Sequence, residues 1–142
     1  MEFFFFDESN TLIDIEKLKN FKIITFDYKS HILLKNNQIE HQISDEFLDE
    51  QVSKEITKRN YELIRWYNLD LIKEKLTFHE VNIPKLFTDE FTSSLLKILK
   101  KIIEIKTISK KYANMEIIAS NELYDIAKFF TTSISKIEKN TN

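Results

Sequence analysis

The chain has 142 residues and not one glycine. No other feature restricts its fold and its chemistry as much. Glycine adopts positive φ without steric cost and lets a backbone approach a ligand closely. A Walker A phosphate loop, a G-x-G-x-x-G dinucleotide turn and a hydrolase nucleophile elbow all require it, so all three are excluded. Any phosphate or nucleotide site would have to be built from side chains and helix N-termini. Turns that need a left-handed residue must use another side chain, and Asn36-Asn37 is the expected place for one at a helix end. The missing glycine, with the many Lys, Asn, Ile and Phe, also fits an A/T-biased coding sequence. The other expectation it raises is a piece of a longer protein whose glycine-rich half lies elsewhere.

The absence of cysteine removes disulfides, thiol catalysis and Cys-based zinc or iron–sulfur sites. It fits a reducing cytoplasm. The formal net charge is −2, with lysines and carboxylates interspersed, so no field recruits nucleic acid or an anionic membrane. The apolar run Phe3–Phe6 is too short for a signal-peptide core and is followed at once by Asp7 and Glu8. Around Leu95 to Ile108 the apolar residues are broken by lysines and a glutamate, which excludes a membrane span.

Four consecutive phenylalanines make Met1–Phe6 a strand buried on both faces. Leu12, Ile13, Ile15 and Leu18 then give a short helix. Phe21–Phe26 is a second apolar strand, and the helix between the two predicts a parallel pair. This strand breaks into the polar elbow Asp27–His31 before a helix to about Lys35. Ile39–Ile43 alternates as a short strand. Ser44 is the expected N-cap of a helix to about Asn68, carrying Leu48, Val52, Ile56, Leu63 and Tyr67 on one stripe. A short helix over 69–75 and an irregular stretch through Phe78–Asn82 are expected next. From Pro84 a long, well-buried helix is expected to about Tyr112. Glu116–Ala119 is the last predicted strand, followed by a helix capped by Ser120 or Asn121 and a frayed tail over 136–142. The pattern predicts a single α/β domain over 1–142. It would be Rossmann-like and doubly wound, with a mostly parallel sheet of about four strands and a long helical insertion before the last.

In such a sheet the strand C-termini share one edge, where ligands bind. That edge would collect Asp7, Glu8 and Ser9, then Asp27 to His31, then Ser44 and Asp45, then Ser120 and Asn121. The candidate ligand contacts are therefore Asp27, Lys29, Ser30, His31, Ser120 and Asn121, with Glu80 from the irregular stretch. His31 is a candidate general base because imidazole titrates near neutrality, and Glu80 is a second candidate base or sugar-hydroxyl acceptor. Each residue type also serves merely to cap or turn. No histidine pair has the i, i+4 spacing of a helical metal site, and no metal or other cofactor is expected.

Two resemblances bear on function. Phe3–Phe6 followed by Asp7-Glu-Ser-Asn-Thr-Leu12 resembles the first motif of haloacid-dehalogenase-type phosphatases, with Asp7 as the nucleophile. Ser9 stands where that motif has its second aspartate and Asn10 where it has glycine. The late acidic pair that holds magnesium is missing from Ser120-Asn-Glu-Leu-Tyr-Asp125. Over most of its length the chain resembles the N-terminal part of GT-B-type surface-polysaccharide glycosyltransferases. That likeness is carried by Ile24–His31, Ile39–Leu48, Arg65-Trp-Tyr67, Leu76–Asn82, the long helix and Ile117–Ser120. Where such proteins often have a glycine after the glutamate, this chain has Val81. The resemblance implies the acceptor-side lobe of a two-lobed enzyme, inactive alone. A saccharide or lipid-linked acceptor and a second glycosyltransferase lobe would be its partners. The implied location is the cytoplasm, with attachment at the inner face of the membrane as one option. A non-catalytic interaction module and a degenerate phosphatase-like domain are the alternatives.

Overall fold

The computed structural model describes residues 2–10, 12–119 and 121–137. Among them the strands are β1 (Glu2–Phe6), β2 (Lys22–Thr25), β3 (Gln42–Ile43), β4 (Thr77–Phe78), β5 (Val81–Asn82), β6 (Glu116–Ala119) and β7 (Ile134–Lys136). The α-helices are α1 (Tyr28–Asn36), α2 (Glu50–Ile64), α3 (Asp70–Leu76), α4 (Ile83–Leu86), α5 (Thr88–Lys111) and α6 (Asn121–Ala127). The chain divides into two compact units, a sheet unit of Met1–Leu48 with Lys101–Asn142 and a helical unit of Asp49–Lys100.

The sheet unit is α/β. Its five strands lie in the order β3-β2-β1-β6-β7, and every pairing is parallel. The four phenylalanines of β1 alternate between two cores, as the period of two in a strand demands. Phe4 and Phe6 pack with Ile23, Leu34 of α1 and Leu18 of the 3-10 helix Ile15–Asn20. Phe3 and Phe5 pack with Ile24, Ile105 and Ile108 of α5, and Leu123 and Ile126 of α6. Each buried ring contributes about 1.5–3 kcal/mol by leaving water. The helical connections that precede β2 and β3 thus cover one face, and those flanking β6 cover the other. The winding reverses between β1 and β6, a Rossmann-like layout.

Several local expectations are corrected. The sheet has five strands rather than four, because Ile134–Lys136, only the last residue of which falls in the expected tail over 136–142, pairs with β6. Residues 138–142 lie outside the described residues. Ile39–Ile43 reaches the sheet only at Gln42 and Ile43. Ile39 is instead held at the end of α1. The left-handed residue there is Gln38, at φ 57°, and not Asn36 or Asn37. Gln38 N–H donates to the Lys35 carbonyl and Ile39 N–H to the Leu34 carbonyl at 3.0 Å. This is a Schellman end, and Ile39 packs beside Leu34 in the same core, which selects the conformation.

The helical unit has a different character. Ser44 begins only a short 3-10 turn, and α2 is capped by Asp49, whose carboxylate accepts from Val52 N–H at 2.8 Å. The expected irregular stretch holds a hairpin of β4 and β5, with His79 and Glu80 both at positive φ (46° and 64°). That is the signature of a type I′ turn, here made without Asn-Gly. The Pro84 helix stops at Leu86, and α5 starts anew at Thr88. Among the described residues of this unit only Pro84 and Thr92 are buried. Trp66 Nε1–H donates to Thr92 Oγ1 at 3.1 Å, and its ring lies 4.7 Å from that of Phe91. The long helix, expected to be well buried, is so only in part. In α5 only Thr92, Ile103, Glu104, Ile105 and Ile108 are buried, and Phe91 and Ile98 are exposed. No helix among the described residues is long and apolar enough to cross a membrane.

Candidate functional site

The reversal of winding fixes where a ligand crevice can form, outside the C-terminal ends of β1 and β6. Asp7 follows β1 directly and is 6% exposed. Phe4 pairs with Ile118, so the C-terminal ends of β1 and β6 lie on the same edge, with Asp7 after the first and Asn121 opening α6 after the second. A single 3-10 turn, Glu8–Asn10, follows the strand and folds back on Asp7. Asp7 Oδ1 accepts from Ser9 N–H at 3.0 Å and from Ser9 Oγ–H, and Asp7 N–H donates to Asn10 Oδ1 at 3.2 Å. Asp7 Oδ2 has no hydrogen bond among the described residues. Asn121 is exposed at φ 50°, so this turn too places a non-glycine residue in the left-handed region.

The elbow after β2 proves to be a brace. Asp27 is the N-cap of α1. Its Oδ1 accepts from Ser30 N–H at 2.8 Å, and its Oδ2 accepts from Ser30 Oγ–H at 2.9 Å and from Glu8 N–H at 2.8 Å. One carboxylate thereby closes the first turn of α1 and ties it to the loop after β1. Ser30 is fully buried in this arrangement. Lys29 reaches the same loop from outside, 3.0 Å from Glu8 Oε2, with both side chains largely in solvent. Such a pair contributes about 0–1 kcal/mol.

His31 lies within hydrogen-bonding distance of His41, 2.8 Å from His31 Nδ1 to His41 Nε2. Glu80 sits at the hairpin tip in the helical unit, where its positive φ serves the turn. Ser120 lies outside the described residues. Of the seven expected contacts, Asp27, Lys29 and Ser30 are brought together on the edge, where they bind one another or Glu8. Asn121 is exposed at the start of α6, after β6. The hydroxyls of Thr25 and Ser44 are also buried at this end of the sheet, with Thr25 Oγ1–H donating to the Gln42 carbonyl at 3.2 Å.

Two residues gain importance that sequence reasoning gave them only in part. Asp7 is the buried carboxylate at the C-terminal end of β1, and its signal was its place directly after the phenylalanine strand. His41 had no local signal, because its partner is set by the docking of α1 beside β3. No group of three or more His, Asp or Glu among the described residues could hold a metal ion. In comparisons with known proteins, no family model, no curated protein and no solved structure matches the chain.

Proposed function

We propose that the sheet unit is an acceptor-side lobe of a glycosyltransferase-like protein and holds a neutral, hydroxyl-rich acceptor in the crevice outside β1 and β6. One observation carries this reading. The edge carries a buried carboxylate, Asp7, one oxygen of which has no hydrogen bond among the described residues, after β1, and the exposed Asn121 after the neighbouring β6. Lys29, the cation on this edge expected to contact a ligand, is engaged with Glu8. A carboxylate and an amide accept from and donate to sugar hydroxyls, whereas a phosphate would meet like charge without a resident cation. In this reading Asp7 and Asn121 contact the ligand, and Asp27 and Ser30 hold the wall.

The test is a titration with neutral hexose and N-acetylhexosamine oligosaccharides, read by backbone amide NMR. Shifts should centre on Asp7–Asn10 and Asn121–Glu122, and Asp7→Asn should weaken binding about tenfold or more, the loss of a hydrogen bond to a charged group. Shifts produced by inorganic phosphate, with magnesium-dependent phosphatase activity abolished by Asp7→Asn, would replace this reading with the phosphatase-like one.

A second reading concerns the helical unit, which we propose as the seat of a second glycosyltransferase lobe. Leu71, Leu76, Phe78, Leu86, Phe87 and Phe91, all within residues 71–91, are each about half or more exposed. The chain should bind an apolar fluorescent dye, and Phe78→Glu with Phe87→Glu should remove that binding without lowering the unfolding midpoint. Unchanged dye binding with a lowered midpoint would assign these rings to the unit's own core.

A further inference from the structure

The imidazoles of His31 and His41 face each other across 2.8 Å, Nδ1 to Nε2, with ring centroids 5.0 Å apart. The other nitrogen of His41, Nδ1, lies 2.7 Å from the Ile39 carbonyl oxygen. A carbonyl only accepts, so His41 Nδ1 carries a hydrogen. In the neutral pair His41 Nε2 is therefore bare and His31 Nδ1–H donates to it. A first added proton leaves the contact intact, since it can sit on the outer nitrogen of His31 or be shared between the rings. A second puts hydrogens on both facing nitrogens and like charges on both rings, and the contact cannot persist.

We propose that His31 and His41 form a proton-sensitive latch that holds the first turn of α1 against the entrance to β3, closed while the pair carries at most one extra proton and open when it carries two. The latch bridges three places that matter to the sheet unit. His31 adjoins Ser30, which Asp27 ties to the loop after β1. His41 leads into β3. Its anchor, Ile39, is the buried residue that ends α1. His41 also lines a cavity of about 490 Å³ with Lys19, Lys22, Glu40 and Tyr112, so opening the latch reshapes that cavity.

The titratable and charged neighbours are few. Tyr28, on the turn before His31, has its ring 6.4 Å away, and Lys35 follows one turn later on α1. Glu40 adjoins His41 in the chain. Across the cavity stand Lys22, Tyr112 and Lys19, the last paired with Glu16. Among the described residues no carboxylate hydrogen-bonds either ring, so the facing imidazole is each ring's direct partner.

A double-mutant cycle of His31→Asn and His41→Asn, measured by urea unfolding, tests the latch. At about pH 8 the two residues should be coupled by roughly five- to tenfold in the unfolding constant, the effect of one net hydrogen bond. At about pH 5 the coupling should fall to nearly onefold, as like charges on the facing rings repel. Equal coupling at both values, or none at about pH 8, would overturn the proposal. Long-range proton–nitrogen NMR of the unsubstituted chain needs no variant to fold. It should show His41 with its hydrogen on Nδ1 at alkaline pH and lose the inter-ring contact on acidification. His41 with its hydrogen on Nε2 and His31 with its own on Nδ1, at alkaline pH, would refute the latch.

Discussion

The sheet unit and the helical unit are written in much the same alphabet, yet they bury their apolar residues very differently. In the first, β1 hides all four phenylalanines, and helix residues such as Leu34, Ile105, Ile108 and Leu123 are 0% exposed. In the second, α2 has no buried residue despite a regular stripe of Val52, Ile56 and Leu63. The helical period is present in both. A stripe becomes core only where a flat apolar surface lies opposite, and a parallel sheet provides that surface on both faces. Helix α5 shows both outcomes in one element. Ile103, Ile105 and Ile108 are buried in its second half, and Phe91 and Ile98 are exposed in its first.

The largest effect that would break this contrast is truncation of a core ring. Phe5→Ala should cost about 3–5 kcal/mol in urea unfolding, and Phe87→Ala, at a position 57% exposed, should cost under about 1 kcal/mol. Similar costs at the two sites would mean that the helical unit has a core of its own. The next effect compares caps. Asp27 satisfies Ser30 and Glu8 together, and Asp49 satisfies only Val52 N–H. Asp27→Ala should therefore lose about 2 kcal/mol and Asp49→Ala about 0.5–1 kcal/mol, read from the shift in denaturation midpoint. The smallest effect has the opposite sign. Gln38→Gly in the sheet unit and Glu80→Gly in the helical unit each relieve a left-handed residue. Each should raise stability by about 0.5 kcal/mol, the strain relieved less the added freedom of the unfolded chain. Loss of stability at Gln38 would show that its side chain contributes more than its backbone does.

Much of the sheet could be read from the residues themselves. The phenylalanine run, Ile23–Ile24 and Ile117–Ile118 are apolar and β-branched or aromatic, and they became β1, β2 and β6. Segments with little apolar content escaped. Ile134-Ser-Lys136 carries no strand signal and runs into the expected tail at Lys136, yet becomes a strand because the edge of β6 supplies its hydrogen-bond partners. Thr77–Asn82 becomes a hairpin through His79 and Glu80, residues with no turn signature of their own. The candidate site divides in the same way. Asp7, Asp27 and Asn121 were legible as edge residues from their places after strands. The Asp27–Ser30 cap is local, three residues apart, but the bond from Glu8 N–H to Asp27, nineteen residues on in the chain, is a tertiary contact.

The sequence alone decided which chemistries are closed to this chain. Without glycine or cysteine it can build no phosphate-cradling glycine loop, thiol centre or disulfide. It also decided where the apolar strands β1, β2 and β6 form, since those depend on runs of residues a few positions apart. Tertiary structure alone decided which polar groups meet. Strand order sets the end of β1 beside that of β6, and the packing of α1 brings His31 to His41. The physical reason is that parallel strands pair across long connections. The spacing of two residues along the chain says little about their distance until the sheet is assembled.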